Sequence, residues 1–249
     1  MAVDIRQIGA AMQSALRLVL PPQCISCGGV VSEEFGLCAD CWRDTPFIHG
    51  LTCDACGTPL PGQDEGKAEY CDDCLTLARP WSRGRAALLY KDNGRRLVLA
   101  LKHGDRLDLA RPAARWMFRA AAPILTENTI VAPIPLHWVR FVRRRFNQSA
   151  LLAQGVARLG GLDHCPDLLT RPRRTPTQDG RDRDSRFANL AGAIRVHPRR
   201  AQRVQGRHVL LIDDVMTSGA TLAAAADACL ATGAAEVSVL VMARVAKDA

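Results

Sequence analysis

The chain has 249 residues, a net charge of +8 from 33 Lys and Arg against 25 Asp and Glu, and ten cysteines, enough for a small module ahead of an ordinary domain of roughly 150 residues. No run approaches the roughly 18 apolar residues of a membrane span, and with Asp4, Arg6 and Arg17 ahead of Pro21 and Pro22 no secretory signal is expected, so a reducing cytoplasm is the default. Residues 1–80 carry 5 Lys and Arg against 11 Asp and Glu, a net −6, and residues 81–249 carry 28 against 14, a net +14; only the second part invites phosphates or nucleic acid.

Val3 to Leu20 reads as a short amphipathic helix with Ile5, Ile8, Met12, Leu16 and Val19 on one stripe. It is expected to pack on its own protein, as the first of three parts: a helix at 1–20, a double zinc ribbon at 21–80 and an α/β domain at 81–249.

Eight of the ten cysteines fall in the second part, as Cys24-x-x-Cys27, Cys38-x-x-Cys41, Cys53-x-x-Cys56 and Cys71-x-x-Cys74. Two residues between cysteines let both sulfurs of a tight turn face one ion, and two such turns supply the four tetrahedral ligands of zinc. Four thiolates leave no open coordination position, so both metals are expected to be structural. Pairing in sequence order gives two self-contained ribbons; interleaved pairing uses the same ligands. Glycine follows the first knuckle of each half, at Gly28 and Gly57, where the chain must swing away from the metal. With many Gly, Pro and Asp and few apolar runs, this region is expected to be held by metal and not by a hydrophobic core.

Beyond Trp81 the texture becomes α/β. Ala86 to Tyr90 reads as a strand, Arg95 to His103 and Asp108 to Leu125 as helices, and Thr129 to Ala132 as a strand stopped by Pro133 and Pro135. Phe146 to Leu159 is a helix ending at Gly160 and Gly161. Arg171 to Arg186 is polar and reads as a mobile loop. Arg207 to Ile212 reads as the clearest strand, with ValLeuLeuIle an unbroken apolar run of the kind buried on both faces of a parallel sheet. An alanine-rich helix, Leu222 to Ala231, and a last strand, Glu236 to Ala243, complete a βαβ unit.

The stretch ValLeuLeuIleAspAspValMetThrSerGlyAlaThr, Val209 to Thr221, carries the chemistry. A buried strand delivers the adjacent carboxylates Asp213 and Asp214, followed through Val215 by a turn into a helix. Backbone amides of Met216, Thr217, Ser218, Gly219, Ala220 and Thr221, with the hydroxyls of Thr217, Ser218 and Thr221, can wrap a phosphate at a helix N-terminus. Gly219 is expected to permit close approach of the ligand. The two carboxylates then lie one sugar length away, able to accept ribose hydroxyls and, with waters, to favour magnesium.

This stretch resembles the 5-phosphoribosyl 1-pyrophosphate (PRPP) signature of type I phosphoribosyltransferases, departing only at Met216 and Ser218. ProIleProLeu at 133–136, ArgArgArgPheAsnGlnSer at 143–149, ArgThrProThrGln at 174–178 and ArgPheAlaAsnLeu at 186–190, behind the cysteine ribbons, resemble the ComF family of competence-associated proteins. Within that family PheAsnGln is commonly preceded by Arg-Gly, where Arg144 and Arg145 stand here. The resemblance implies a type I phosphoribosyltransferase-like parallel sheet flanked by helices behind a metal-held double zinc ribbon, binding PRPP with magnesium and serving DNA uptake in natural transformation. It implies a pyrophosphate loop at Pro133, Ile134 and Pro135, with Lys102, Arg140, Arg143 and Arg144 nearby and Arg174, Thr177, Gln178 and Arg186 on a loop closing over the site. The charge split points to single-stranded DNA as a partner of the basic domain, where Arg140, Arg143, Arg144 and Arg145 stand close together, the plain alternative being an arginine surface that serves solubility or the pyrophosphate; a DNA-uptake or helicase protein is the partner expected of the ribbons. The alternative is a phosphoribosyltransferase of nucleotide metabolism or salvage; the acceptor of the ribose phosphate is not legible.

Overall fold

The computed structural model describes residues 20–103, 106–136, 146–172 and 192–246; the helix expected at Val3 to Leu20 lies almost wholly outside them. The chain divides into two compact units, 1–45 and 46–249, so the two cysteine sets belong to different units.

In the smaller unit a bridge between Gln23 and Val30 closes the first knuckle, and a short helix, α1 (Ala39–Arg43), carries the second. Cys38 caps that helix, its sulfur accepting from the Cys41 amide.

The larger unit is built on five parallel strands: β1 (Arg83–Leu89), β2 (Thr129–Pro133), β3 (Asp163–His164), and the pair His208–Met216 and Glu236–Arg244. Two short antiparallel strands, β4 (Leu169–Thr170) and β5 (Arg195–Val196), lie between, so the long pair is β6 and β7. The order in the sheet is β1-β7-β6-β2-β3. Helices α3 (Asp92–His103), α4 (Ala110–Ala121) and α5 (Gln148–Gly160) follow the ribbon helix α2 (Asp72–Thr76), and α6 (Ala220–Ala231) joins β6 to β7. Gly161 takes the left-handed cap at φ 61°. Helices α4 and α5 pack on each other and over the sheet, and β2 is buried at every position. Strands covered on both faces read as continuous apolar runs, which is why β6 and β7 were legible.

The second ribbon is not held by metal alone. Cys53 and Cys56 are fully buried in one apolar cluster with Trp81, Ala86, Val209, Leu211, Leu222 and Val239. The Trp81 indole donates to the Ala55 carbonyl inside the knuckle at 2.6 Å, and the Gly84 amide donates to Asp54. Strand β1 begins three residues before the expected Ala86. Arg83 and Arg85 occupy its first positions because Asp54 of the ribbon takes both guanidinium groups, Arg85 at 2.6 Å. Arginines that give up part of their hydration in a strand gain from such a partner.

Candidate functional site

Val209 to Thr221 forms a strand, a turn and the start of a helix. Strand β6 pairs with β2 only as far as Ile212, opposite Pro133, and runs on beside β7 to Met216. Asp213 and Asp214 therefore sit beyond the end of β2 and within β6, not at its last residues. Gly219 stands at φ 83° at the N-cap of α6, a left-handed conformation costly for other residues. A Cβ on Gly219 would also lie 2.9 Å from Arg79 Nη1 and 3.1 Å from Trp81 Cη2, so packing within the chain by itself requires glycine there. A shallow, open depression is lined by Asp213 and by every residue from Val215 to Leu222.

Lys102, at the end of α3, places its Nζ 3.1 Å from Asp214 Oδ2. Ser149 donates its hydroxyl to Asp213 Oδ1 at 2.9 Å, as does the Asp214 amide. Burial and the neighbouring Asp214 charge raise Asp213 to about 7, against the pull of Ser149, the Asp214 amide and Lys102. Ile134, beyond β2, donates its amide to the Ile212 carbonyl; Pro133 is buried and Pro135 half-buried beside it. Arg140, Arg143, Arg144, Arg174, Thr177, Gln178 and Arg186 lie outside the described residues.

Three consecutive residues absent from the predicted site hold it together. Asn147 caps α5 through the Ser149 amide and donates Nδ2 to the Ile134 carbonyl at 3.0 Å. Gln148 donates Nε2 to the Lys102 carbonyl at 3.2 Å, and Ser149 holds Asp213. One helix start thus links the proline turn, the lysine and the acidic pair. The AsnGlnSer run was legible as a motif; its signal as machinery is three polar residues in a row at a helix start, two of them, Gln148 and Ser149, buried.

The folded chain holds the Asp213 proton more tightly than the unfolded chain, whose aspartates ionise near about 4. The stability so gained is present below that value and lost as pH rises through about 7. Asp213→Asn cannot ionise, so it is expected to unfold a few degrees above the parent at pH 8, with the gap clearly smaller at pH 5 and closing below about 4. Thermal unfolding at both pH values checks this; a gap independent of pH contradicts it.

The cysteines pair in sequence order: the sulfurs of Cys24, Cys27, Cys38 and Cys41 lie within 4.8 Å of one another, as do those of Cys53, Cys56, Cys71 and Cys74. The separations of 3.7 Å between Cys27 and Cys38 and 3.7 Å between Cys56 and Cys71 fit the ~3.8 Å edge of a tetrahedron of sulfurs about 2.3 Å from zinc. Amides of Gly29 and Cys38 point at Cys27 and Cys24 sulfurs, the bonds a thiolate knuckle accepts. In the second set, hydrogen bonds from Cys53 and Cys74 hold the Cys56 thiol far below its usual range and the same contacts drive Cys74 above it. Four sulfurs within 4.8 Å of one another suit one cation. Elemental analysis is expected to find two zinc ions per chain; iron in their place, or none, contradicts that.

Residues 15–75 match the double zinc ribbon domain family and residues 171–249 the phosphoribosyl transferase domain family. Among solved structures, an allosteric regulatory enzyme of purine biosynthesis is similar at 16% identity over 58% of this chain and 30% of that one, with a TM-score of 0.38. Competence protein F of Haemophilus influenzae is 27% identical over 80% of this chain and 87% of its own length. DNA utilization protein YhgH of Escherichia coli is 32% identical over 91% of this chain and 99% of its own. With a double zinc ribbon ahead of a phosphoribosyl transferase domain and a relative 32% identical over 91% of its length, the chain belongs to the ComF family, that of DNA utilization protein YhgH and Competence protein F.

Proposed function

We propose that this chain binds PRPP with magnesium at Asp213 to Thr221 and serves the uptake or use of DNA in the cytoplasm. The observation that carries the binding is the acidic pair on the part of β6 that runs past the end of β2, continuous with the turn at the N-terminus of the twelve-residue helix α6. A phosphate accepts from the amides of such a turn. Asp213 and Asp214 are set to take the ribose hydroxyls and a hydrated magnesium ion, which would shield the pyrophosphate charge. Lys102, already on Asp214, adds positive charge to the same corner. The DNA role is supported by what two relatives are called, DNA utilization protein and Competence protein F.

In a transferring enzyme, pyrophosphate would leave the anomeric carbon as a nitrogen nucleophile attacks, with electrostatic clamping and no covalent nucleophile. Pyrophosphate release measured against a panel of nucleobases, beside binding alone, separates such an enzyme from a ligand-sensing protein. Release with any base establishes transfer; saturable binding with none establishes sensing.

Single-stranded DNA is expected to bind the basic part, where Arg140, Arg143, Arg144 and Arg145 cluster, while the acidic ribbons serve a protein partner. Log affinity then falls with log salt by about 0.7 per phosphate neutralised. Replacing Arg143, Arg144 and Arg145 by Ala reduces that slope by about 2. Fluorescence anisotropy on the full chain checks this, since cutting at residue 81 would remove Cys53 and Cys56 from the core. Affinity insensitive to salt contradicts it.

A further inference from the structure

We infer that Arg79 and Arg244 join the metal of the second cysteine set to the phosphate loop, so that this metal fixes which way the loop amides face. Neither arginine belongs to the acidic pair or to the amide turn. Arg79 follows the last cysteine pair and donates Nη1 to the Ser218 carbonyl at 2.6 Å, with its guanidinium 5.3 Å from the centre of the Trp81 ring. Arg244, 4% exposed at the end of β7, donates Nη1 to the carbonyls of Met216 at 3.2 Å and Thr217 at 2.8 Å, and also to that of Val245.

Three consecutive loop carbonyls are thus drawn toward two cations. In a trans peptide the C=O and the following N–H point in opposite directions. Pinning the oxygens of Met216, Thr217 and Ser218 therefore turns the amides of Thr217, Ser218 and Gly219 away from the arginines, as an anion cradle needs.

The other side of each guanidinium is unsatisfied. Arg79 Nε and Nη2 and Arg244 Nε are buried and have no hydrogen-bond partner among the described residues. Buried guanidinium groups without an acceptor are costly. Both lie by the second cysteine set: Arg79 follows Cys74 by five residues and stacks over Trp81, whose indole bonds the knuckle carbonyl of Ala55, and the Arg244 charge reaches Cys56. Four thiolates around one zinc ion carry a formal −2, which two guanidinium charges cancel. The metal-loaded set supplies the anionic partner that these cations lack, and Trp81, bonded to the knuckle at Ala55, holds Arg79 between the two.

Arg79 and Arg244 are accordingly positioning residues. The inference deepens the reading of the loop as a phosphate site, yet its test needs no ligand, so the two can fail separately. Zinc-loaded full chain, parent and Arg79→Gln, is titrated with a chelator while zinc release is read with an indicator dye and hydrogen exchange is followed over residues 216–221. Outer-shell partners are worth about 10–100-fold in metal affinity. One of the two zinc ions should leave Arg79→Gln at chelator concentrations about tenfold lower or more, with faster exchange of the loop amides, and Arg79→Lys, which keeps the charge, should retain its zinc within about threefold of the parent. Equal zinc release in Arg79→Gln and parent, or earlier release with unchanged loop exchange, overturns the inference. On the unmutated chain, alkylation of freed cysteines identifies the set that has lost its metal. Loop exchange should rise together with labelling of Cys71 and Cys74; labelling of that pair with a loop that stays protected overturns the inference as well.

Discussion

Asp213→Asn combined with Asp214→Asn is expected to abolish magnesium-dependent binding of PRPP while leaving the fold intact. Charged hydrogen bonds are worth about 1.5–3 kcal/mol each, and the two carboxylates together serve the ribose hydroxyls and the magnesium waters. Their loss should weaken binding at least about 100-fold, at about 1.4 kcal/mol per tenfold. The fold should tolerate the change: two like charges at adjacent positions are removed, and Ser149 and the Asp214 amide can still donate to an amide oxygen at 213. Lys102 loses its partner but keeps 26% of its side chain in water. Calorimetry with unchanged affinity in the double variant would mean that the ligand binds elsewhere.

Gly57→Ala is expected to destabilise the larger unit by about 2–5 kcal/mol. Gly57 stands at φ 69°, and its Cβ would lie 2.7 Å from the amide nitrogen of Ala86 and 2.9 Å from the carbonyl carbon of Arg85. Both atoms are backbone of β1, a strand hydrogen-bonded along β7, so neither can move aside cheaply. The left-handed conformation adds about 1–2 kcal/mol to an overpacking cost of about 1–3 kcal/mol. Gly28 supplies the contrast, at φ 79° with nothing within 4 Å, so Gly28→Ala should incur the conformational cost alone. Thermal unfolding of both zinc-loaded variants checks this, at roughly 2–4 °C per kcal/mol for a chain of this size. Equal losses at the two positions would mean that the second knuckle does not press on β1.

The strands that hold the site were legible because burial on both faces leaves a run that only apolar residues can fill, as at Val209 to Ile212. The acidic pair and the turn after it were legible because phosphate binding needs those residue types side by side. The pairing order of the cysteines was open in the sequence, because both arrangements use the same ligands, and only the fold shows it to be sequence order. Less could be read where a residue's environment comes from distant parts of the chain. Arg83 and Arg85 hid the start of β1, since nothing local announces that Asp54 will neutralise them. Strand β3 is two residues long and shows no period. The segment expected as a single helix from Asp108 to Leu125 is helical only over α4, with a tighter turn at each end, the second containing Pro123. That half of the ribbon region is core could not be read from Gly-rich and Asp-rich composition, because its burial is supplied by Trp81 and by the sheet. Asn147, Gln148 and Ser149 were recognisable as a motif, but their bonds to Ile134, Lys102 and Asp213 exist only once α5 lies across the sheet.

The most direct test of the central claim is a calorimetric titration of the full zinc-loaded chain with PRPP at pH 8, once with magnesium and once with magnesium withheld. At that pH Asp213 is largely ionised, having been raised only to about 7. The expected result is saturable binding of one PRPP per chain that requires magnesium and weakens as the pH is lowered through 7. No heat in either titration, or equal binding without magnesium, would contradict it.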